Sequence, residues 1–258
     1  MTLFYDFYGL NGLPFEERLA PEKLLTDERM AKGLDRLEYF LQAEGLAALL
    51  TGPTGVGKTS LLRLFLGRLP VNRYQSLLLS LTTLDSSCLL RMISIALGEK
   101  PGIGKDRLFA ISLDKIRGSD RFTVLILDEA HLLTEDALTD LRLLLCAAPD
   151  NPPKLRMVLC GQDSLLHTLG RQTLADLLNR VAVRVHLAAL SKDQTACYID
   201  HRLLAAGGTD KLFSDEAKDR LHDYAAGVPR ILNNLATLCL IQGAAKKQKH
   251  LTPALVDE

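Results

Sequence analysis

The sequence predicts an α/β fold in which a five-stranded parallel sheet lies between helices, an αβα sandwich, and is followed by a small all-helical lid domain. Five short apolar runs of strand type alternate with segments of helical periodicity, and this alternation is typical of a parallel sheet covered on both faces. After residue 188 no run has strand character, and the apolar residues recur at helical spacing. We therefore predict two domains, residues 1–188 and 189–258.

Composition limits the classes of partner and compartment. The chain has 31 Lys+Arg and 31 Asp+Glu residues, so no overall basic field favours nucleic acid and any such contact must be local. The five cysteines are scattered, without a C-x-x-C pair or metal-ligand spacing, which favours a reducing compartment. No signal peptide or membrane-length apolar run is present. We expect a cytoplasmic protein with no membrane contact.

The chain begins with an aromatic segment. Five aromatic residues lie between Phe4 and Phe15, although aromatic residues make up only 5% of the sequence. We expect this terminus to be an arm packed on the body of the protein. Residues 27–44 then have helical periodicity, with Leu34, Leu37 and Leu41 on one face.

The first predicted strand, residues 46–51, leads directly into a glycine-rich loop. The loop reads G-x-x-x-x-G-K-[ST] and consists of Gly52, Pro53, Thr54, Gly55, Val56, Gly57, Lys58 and Thr59. This is the phosphate-binding loop, or P-loop. Glycines allow backbone N–H groups to turn towards phosphates, the lysine reaches the β- and γ-phosphates, and the hydroxyl is a ligand for Mg²⁺.

The elements around this loop support a nucleotide site. Apolar residues at helical spacing follow it at Leu61, Leu62, Phe65 and Leu69, which places the positive end of a helix at the phosphates. We predict ATP and Mg²⁺ as the ligands. The aromatic arm then has a second interpretation, as a wall of the adenine pocket.

The remaining elements of the sheet domain follow in alternation. We predict helices over residues 85–97, 106–117, 135–147 and 163–179 and strands over residues 74–80, 122–127, 155–160 and 181–187. The last strand alternates apolar and polar residues, as an edge strand does.

The C-terminal domain is predicted from helix-boundary signals. Ser191 and Gln194 form an S-x-x-Q capping box. Ser214 caps a second helix, Pro229 occupies the first turn of a third, and Thr252 precedes a short fourth.

A second chemical motif is the pair Asp128 and Glu129, which ends the strand 122–127. Ligands of open α/β sheets bind at the carboxyl ends of the strands. Asp128 is therefore a candidate Mg²⁺ ligand and Glu129 a candidate base for the attacking water. The tetrad that ends at His131 also spells a helicase box, but such helicases need two α/β motor domains and this sequence predicts one.

Together the P-loop, the acidic pair and the added helical domain resemble AAA+ ATPases, and several stretches resemble the ExeA/GspA-like and TniB/TnsC-like members. These stretches are Tyr8-Gly9-Leu10 with Pro14-Phe15, Asp128-Glu129-Ala130-His131, Leu159-Cys160-Gly161-Gln162, Tyr198-Ile199 with Arg202-Leu203 and Ala206-Gly207, and Gly227-Val228-Pro229-Arg230 with Asn233-Asn234. The resemblance covers nearly the whole chain. It implies a homo-oligomer, either a ring or a helical filament.

The resemblance also implies roles for single residues. Gln162 matches the sensor-1 position, or is a plain loop residue. Arg180 matches the arginine finger presented to a neighbouring subunit, with Arg184 a weaker candidate; alternatively it is a cation at a helix C-terminus. Arg230 matches sensor 2, or is a surface arginine. His131 we expect to be a packing or surface residue.

Three functional classes stay open at this point. The first is a regulator of transposition that assembles on double-stranded DNA, without sequence specificity, beside a transposase; the second is a secretion-pathway ATPase with protein partners. The third is a small-molecule kinase, which is disfavoured because the helical domain is C-terminal. The secretion members carry a membrane segment and a peptidoglycan-binding portion that this sequence lacks, which favours the first class. The candidate DNA contacts are Arg73, Lys100, Lys105 and Arg107.

Overall fold

The computed structural model describes residues 4–16, 24–43, 45–80, 85–147 and 152–258. The strands are β1 Ala47–Thr51, β2 Tyr74–Ser80, β3 Phe122–Asp128, β4 Leu155–Gly161 and β5 Val181–His186. The helices are α1 Phe4–Phe7, α2 Glu28–Gln42, α3 Lys58–Gly67, α4 Ser86–Ala96, α5 Lys105–Arg117, α6 Glu135–Cys146, α7 Ser164–Leu169, α8 Ala175–Leu178, α9 Lys192–Ala205, α10 Asp215–Ala225, α11 Pro229–Ala245 and α12 Pro253–Val256.

The five strands form one parallel sheet in the order β2-β3-β4-β1-β5, which confirms the predicted fold class. Every residue of β1 and β4 is buried, as expected for central strands with helices on both faces. In β5 the exposed residues alternate with less exposed ones, and the strand lies at the edge of the sheet as predicted.

The internal contacts divide the chain into two compact units. The sheet unit contains residues 30–52 and 61–187. The helical unit contains residues 188–258, residues 53–60 of the P-loop and the described residues up to Arg29. The two-domain division at residue 188 remains a proposal.

One predicted helix of the sheet unit is wrong in its extent. The segment predicted as a single helix over 163–179 consists of α7, a 3-10 turn over Gln172–Leu174 and α8. Gly170 ends α7, and Arg171 follows in an extended conformation with φ −68° and ψ 146°. Because the residues on both sides of this break have helical periodicity, the sequence predicts one continuous helix and does not reveal the break.

The helical unit begins its helices as the sequence predicts. The Ser191 hydroxyl accepts a hydrogen bond from the Gln194 N–H at 3.3 Å, and the Gln194 side chain accepts one from the Ser191 N–H at 3.0 Å. Ser214 caps α10 through the Ala217 N–H at 3.2 Å, and Pro229 begins α11. Each contact satisfies an N–H group that has no partner within the helix.

The aromatic arm packs on the helical unit through Arg202. This side chain is 4% exposed and donates hydrogen bonds to the carbonyls of Pro14 at 2.7 Å and Glu16 at 2.6 Å. It also donates to the Tyr198 hydroxyl at 2.8 Å, and Phe15 is buried in the same core. A buried guanidinium needs several acceptors to offset its lost hydration, and the arm carbonyls provide two of them.

Among the described residues, no helix has both the length and the hydropathy needed to cross a bilayer.

Candidate functional site

The P-loop follows β1 in the conformation that its glycines permit. Gly52, Gly55 and Gly57 all have positive φ, at 149°, 83° and 105°. At Gly52 a Cβ atom would lie 2.3 Å from the carbonyl oxygen of Leu187, so only glycine allows the chain to leave the sheet there. Lys58 is the first residue of α3. The backbone thus has the turn-then-helix form of a phosphate cradle.

Lys58 is held within its own loop. The side chain is buried, and the ammonium group donates a hydrogen bond to the Pro53 carbonyl at 2.8 Å. A buried lysine at the first turn of a helix concentrates positive charge where backbone N–H groups also point. This arrangement is suited to binding an anion such as a polyphosphate.

The structure brings Arg230 to the P-loop. The Arg230 backbone N–H donates to the Gly55 carbonyl at 3.2 Å. An added Cβ at Gly55 would lie 2.9 Å from the Cβ of Arg230 and 3.1 Å from Cγ1 of Val228. The start of α11 and the middle of the loop are therefore in close contact, and this contact depends on a glycine.

In the sheet unit, the acidic pair lies at the carboxyl end of β3. Asp128 is 4% exposed, and its Oδ1 accepts a hydrogen bond from the Glu129 N–H at 3.0 Å. Glu129 has a left-handed backbone conformation, with φ 59° and ψ 33°, which costs an L-residue about 1–2 kcal/mol. This sharp turn ends the strand and starts the 3-10 helix Ala130–Leu132.

The His131 side chain lies between Glu129 and the backbone of Gln162. His131 Nδ1 lies 3.4 Å from Glu129 Oε2 and 3.5 Å from the backbone nitrogen of Gln162. Gln162 directly follows β4 and also accepts the Leu165 N–H at the start of α7. His131, expected from the sequence to be a packing or surface residue, is therefore part of this cluster. Its position two residues after Glu129 was the available signal.

Strand register places these groups at one edge of the sheet. Thr51 of β1 pairs with Gly161 of β4, and Leu127 of β3 pairs with Leu159 of β4. Asp128 is the last residue of β3 and Gln162 is the first residue after β4, so the two lie at neighbouring strand ends. Gly52 directly follows β1, which is the neighbour of β4 on its other side. The P-loop thus leaves the same carboxyl edge that carries the acidic pair.

Arg180 lies at the opposite edge. Its carbonyl accepts the Ala47 N–H at the start of β1, so the length of β1, roughly 16 Å at 3.3 Å per residue, separates it from the carboxyl edge. Its guanidinium donates to the Asp176 carbonyl at 2.8 Å, the helix-end contact that was the alternative interpretation. Arg184 lies within β5, level with Leu49.

The four candidate DNA contacts differ in their surroundings. Arg73 lies at the amino end of β2, where its carbonyl accepts the Phe122 N–H at 2.9 Å. Lys105 lies 2.9 Å from Asp140, a buried carboxylate that also accepts the Ser86 hydroxyl. The charge of Lys105 therefore neutralises Asp140. Lys100 and Arg107 are exposed.

The donor chemistry fits Mg²⁺. The Thr59 hydroxyl and the Asp128 carboxylate are oxygen donors of the type that Mg²⁺ prefers. Within the described ranges, no three His, Cys, Asp or Glu side chains converge as a metal cage.

Comparison with known proteins agrees with this geometry. Residues 42–169 match the AAA domain family. General secretion pathway protein A of Aeromonas hydrophila is 31% identical over 248 residues, which are 95% of this chain and 45% of that protein. This chain thus spans less than half of that relative.

Among solved structures, Cdc6p of Pyrobaculum aerophilum is similar, with a TM-score of 0.73 and 19% identity over 92% of this chain and 67% of that one. Drosophila ORC bound to DNA has a TM-score of 0.73 and 18% identity over 95% of this chain and 62% of that one. At these identities the likeness concerns the fold.

We predict that Gly55→Ala weakens ATP binding. Alanine at φ 83° costs about 1–2 kcal/mol, a factor of about 5–30 in an equilibrium, and its Cβ also forces Arg230 away. Equilibrium titration with a fluorescent ATP analogue measures the affinity. Gly67→Ala is the matched control, since an added Cβ there has no neighbour within 4 Å. Equal affinities for the two variants would contradict the prediction.

Proposed function

We propose, from the premise that this chain is an AAA+ P-loop ATPase, that it hydrolyses ATP at the interface between copies of itself and so drives changes in a partner. The observation that carries the proposal is the grouping at the carboxyl edge: Asp128 ends β3, Glu129 and Gln162 directly follow β3 and β4, and the chain leaves β1 at the same edge at Gly52.

The residues divide the work of hydrolysis between them. The P-loop residues Gly52 to Thr59 bind the phosphates, with Lys58 on the β- and γ-phosphates. Glu129 accepts the proton of the attacking water as the water oxygen bonds to the γ-phosphorus and the bond to the ADP oxygen breaks. Gln162 orients that water.

Two further groups act on charge. Thr59 and Asp128 would hold Mg²⁺, which when bound neutralises charge on the β- and γ-phosphates. Arg230, whose backbone contacts the P-loop at Gly55, contacts the γ-phosphate within the same chain.

We predict that Lys58→Ala abolishes ATP binding, whereas Glu129→Gln keeps binding and loses turnover by about 10²–10⁴-fold. The two residues act at successive steps, and the amide keeps the shape of the carboxylate without its basicity. Binding is measured by titration and turnover by phosphate release under saturating ATP. Equal losses of affinity in both variants would show that these roles are wrongly assigned.

We assign Arg180 to the site of a neighbouring subunit because it lies far from Glu129 and Gln162 of the same chain. It lies at the amino end of β5, across the length of β1 from Gln162. An arginine supplied by another subunit stabilises the charge of the transition state and makes hydrolysis depend on assembly.

We predict that mixing Lys58→Ala protein with Arg180→Ala protein restores part of the ATPase activity. Each variant alone lacks one half of every site, whereas mixed assemblies contain some interfaces with both halves intact. Phosphate release is measured across mixing ratios, with assembly followed by light scattering. If both variants assemble and no ratio recovers activity, Arg180 does not act in a neighbouring subunit.

For the partner, two candidates have support. The 31% identity to General secretion pathway protein A extends over 95% of this chain, which favours a protein partner in a secretion pathway. The likeness to ORC bound to DNA concerns the fold alone, and with it we retain the candidate of duplex DNA and a transposase. In that case the exposed Arg73, Lys100 and Arg107 are the better contacts, because Lys105 already neutralises Asp140.

A DNA-dependent function predicts that ATP increases binding to duplex DNA of any sequence and that salt weakens it steeply. Fluorescence anisotropy is recorded with ATP, ADP or no nucleotide over a salt series. Removing two phosphate contacts in Lys100→Ala/Arg107→Ala should lower the slope of log affinity against log salt by about 2. Lys249→Ala, an exposed lysine of the helical unit, is the control. Binding that is absent with ATP would leave the secretion partner as the proposal.

A further inference from the structure

His131 lies beside two candidate catalytic residues, Glu129 and Gln162. Its side chain is 11% exposed, and it belongs to the 3-10 helix that follows Glu129. His131 can lie this close to β4 because residue 161 is a glycine. An added Cβ there would lie 3.1 Å from the backbone nitrogen of His131 and 3.3 Å from its Nδ1. The imidazole therefore lies against the end of β4, beside Gln162.

The Nδ1 atom of His131 faces two partners of opposite type. The Gln162 backbone N–H is a donor, 3.5 Å away, and Glu129 Oε2 is an acceptor, 3.4 Å away. An imidazole nitrogen either bears a hydrogen and donates or bears a lone pair and accepts. Nδ1 therefore serves one partner at a time, and both distances are longer than a fully formed hydrogen bond.

Hydrogen bonds fix the backbone of Glu129, but they do not fix the direction of its carboxylate. Its N–H donates to Asp128 at 3.0 Å, and its carbonyl accepts the Leu132 N–H at 3.0 Å. Both groups hold the left-handed conformation, so the point from which the side chain starts is fixed. The carboxylate itself is 40% exposed and is free to turn about its side-chain bonds.

We propose that His131 is a positioning residue that sets the direction of the Glu129 carboxylate by exchanging Nδ1 between its two partners. With hydrogen on Nδ1, the ring donates to Glu129 and holds the carboxylate beside β4. With hydrogen on Nε2, Nδ1 accepts from Gln162 and the carboxylate turns towards the attacking water. The exchange moves one hydrogen between ring nitrogens through solvent and leaves the net charge unchanged. It rests on the proposed role of Glu129 as the base.

The test compares His131→Asn, His131→Gln and His131→Leu. The asparagine amide occupies the place of Nδ1 and can donate or accept there, the glutamine amide reaches only the place of Nε2, and leucine has no polar atom. We expect His131→Asn to keep kcat within about threefold, and the other two to lose about 10–100-fold. KM and the affinity for ATP should change by less than about twofold in all three, because a residue that positions the base acts on turnover and not on nucleotide binding.

Two further measurements distinguish positioning from packing. The Gln162 amide should exchange its hydrogen faster in His131→Leu than in wild type, and at nearly the wild-type rate in His131→Asn. In the Glu129→Gln background, His131→Leu should cost no further activity, because a residue that acts through Glu129 has nothing left to position. His167→Gln on the exposed face of α7 is the control and should leave kcat unchanged.

The outcomes separate this inference from the proposed function. If Glu129→Gln turns over normally, the base is wrongly assigned and the proposed function fails at that point. If Glu129→Gln is inactive while His131→Gln and His131→Leu turn over as wild type, the positioning role is overturned and the proposed function stands. A loss in His131→Asn as large as in His131→Leu would also overturn it. Thermal unfolding checks each variant, and the Asn and Gln pair decides the question if His131→Leu does not fold.

Discussion

The register between parallel strands is the constraint on which the candidate site depends. Because Thr51 pairs with Gly161 and Leu127 pairs with Leu159, three strands end close to the same level. β1 and β4 are buried along their whole length, so a slip of one residue would turn every packed side chain of the strand to the opposite face of the sheet. Burial therefore fixes the register, and the register fixes which residues share the carboxyl edge.

Within the helical unit, two contacts of α11 fix its position. Gly55 allows α11 to reach the P-loop through Arg230, and one turn further along, Asn233 accepts the Tyr198 hydroxyl at 2.8 Å. Burial raises the pKa of the Tyr198 phenol, which favours the neutral form that an unperturbed phenol already has near neutral pH. Through Arg202, Tyr198 is connected to the arm. A continuous set of contacts thus joins the P-loop to the aromatic arm.

Much of this architecture was predictable because it follows from local periodicity. Strand-type runs, the P-loop and the capping residues Ser191 and Ser214 each depend on a few neighbouring positions. The break at Gly170 was not predictable, since its two sides keep helical periodicity. The contact of His131 with Glu129 and Gln162 joins two strand ends that lie about thirty residues apart, so it depends on tertiary packing that no local pattern contains.

The parallel direction of the strands also explains why assembly belongs to the proposed function. In a parallel sheet every strand has its amino end at one edge and its carboxyl end at the other, so a residue that precedes β5 and a residue that follows β4 are held apart by the strand length itself. Arg180 and Gln162 are such a pair. No rearrangement of side chains closes that distance while the sheet is intact. An arginine at the amino edge therefore acts on a site at the carboxyl edge only when the two edges belong to different copies, and on the proposed function the sheet itself makes hydrolysis a property of the assembly.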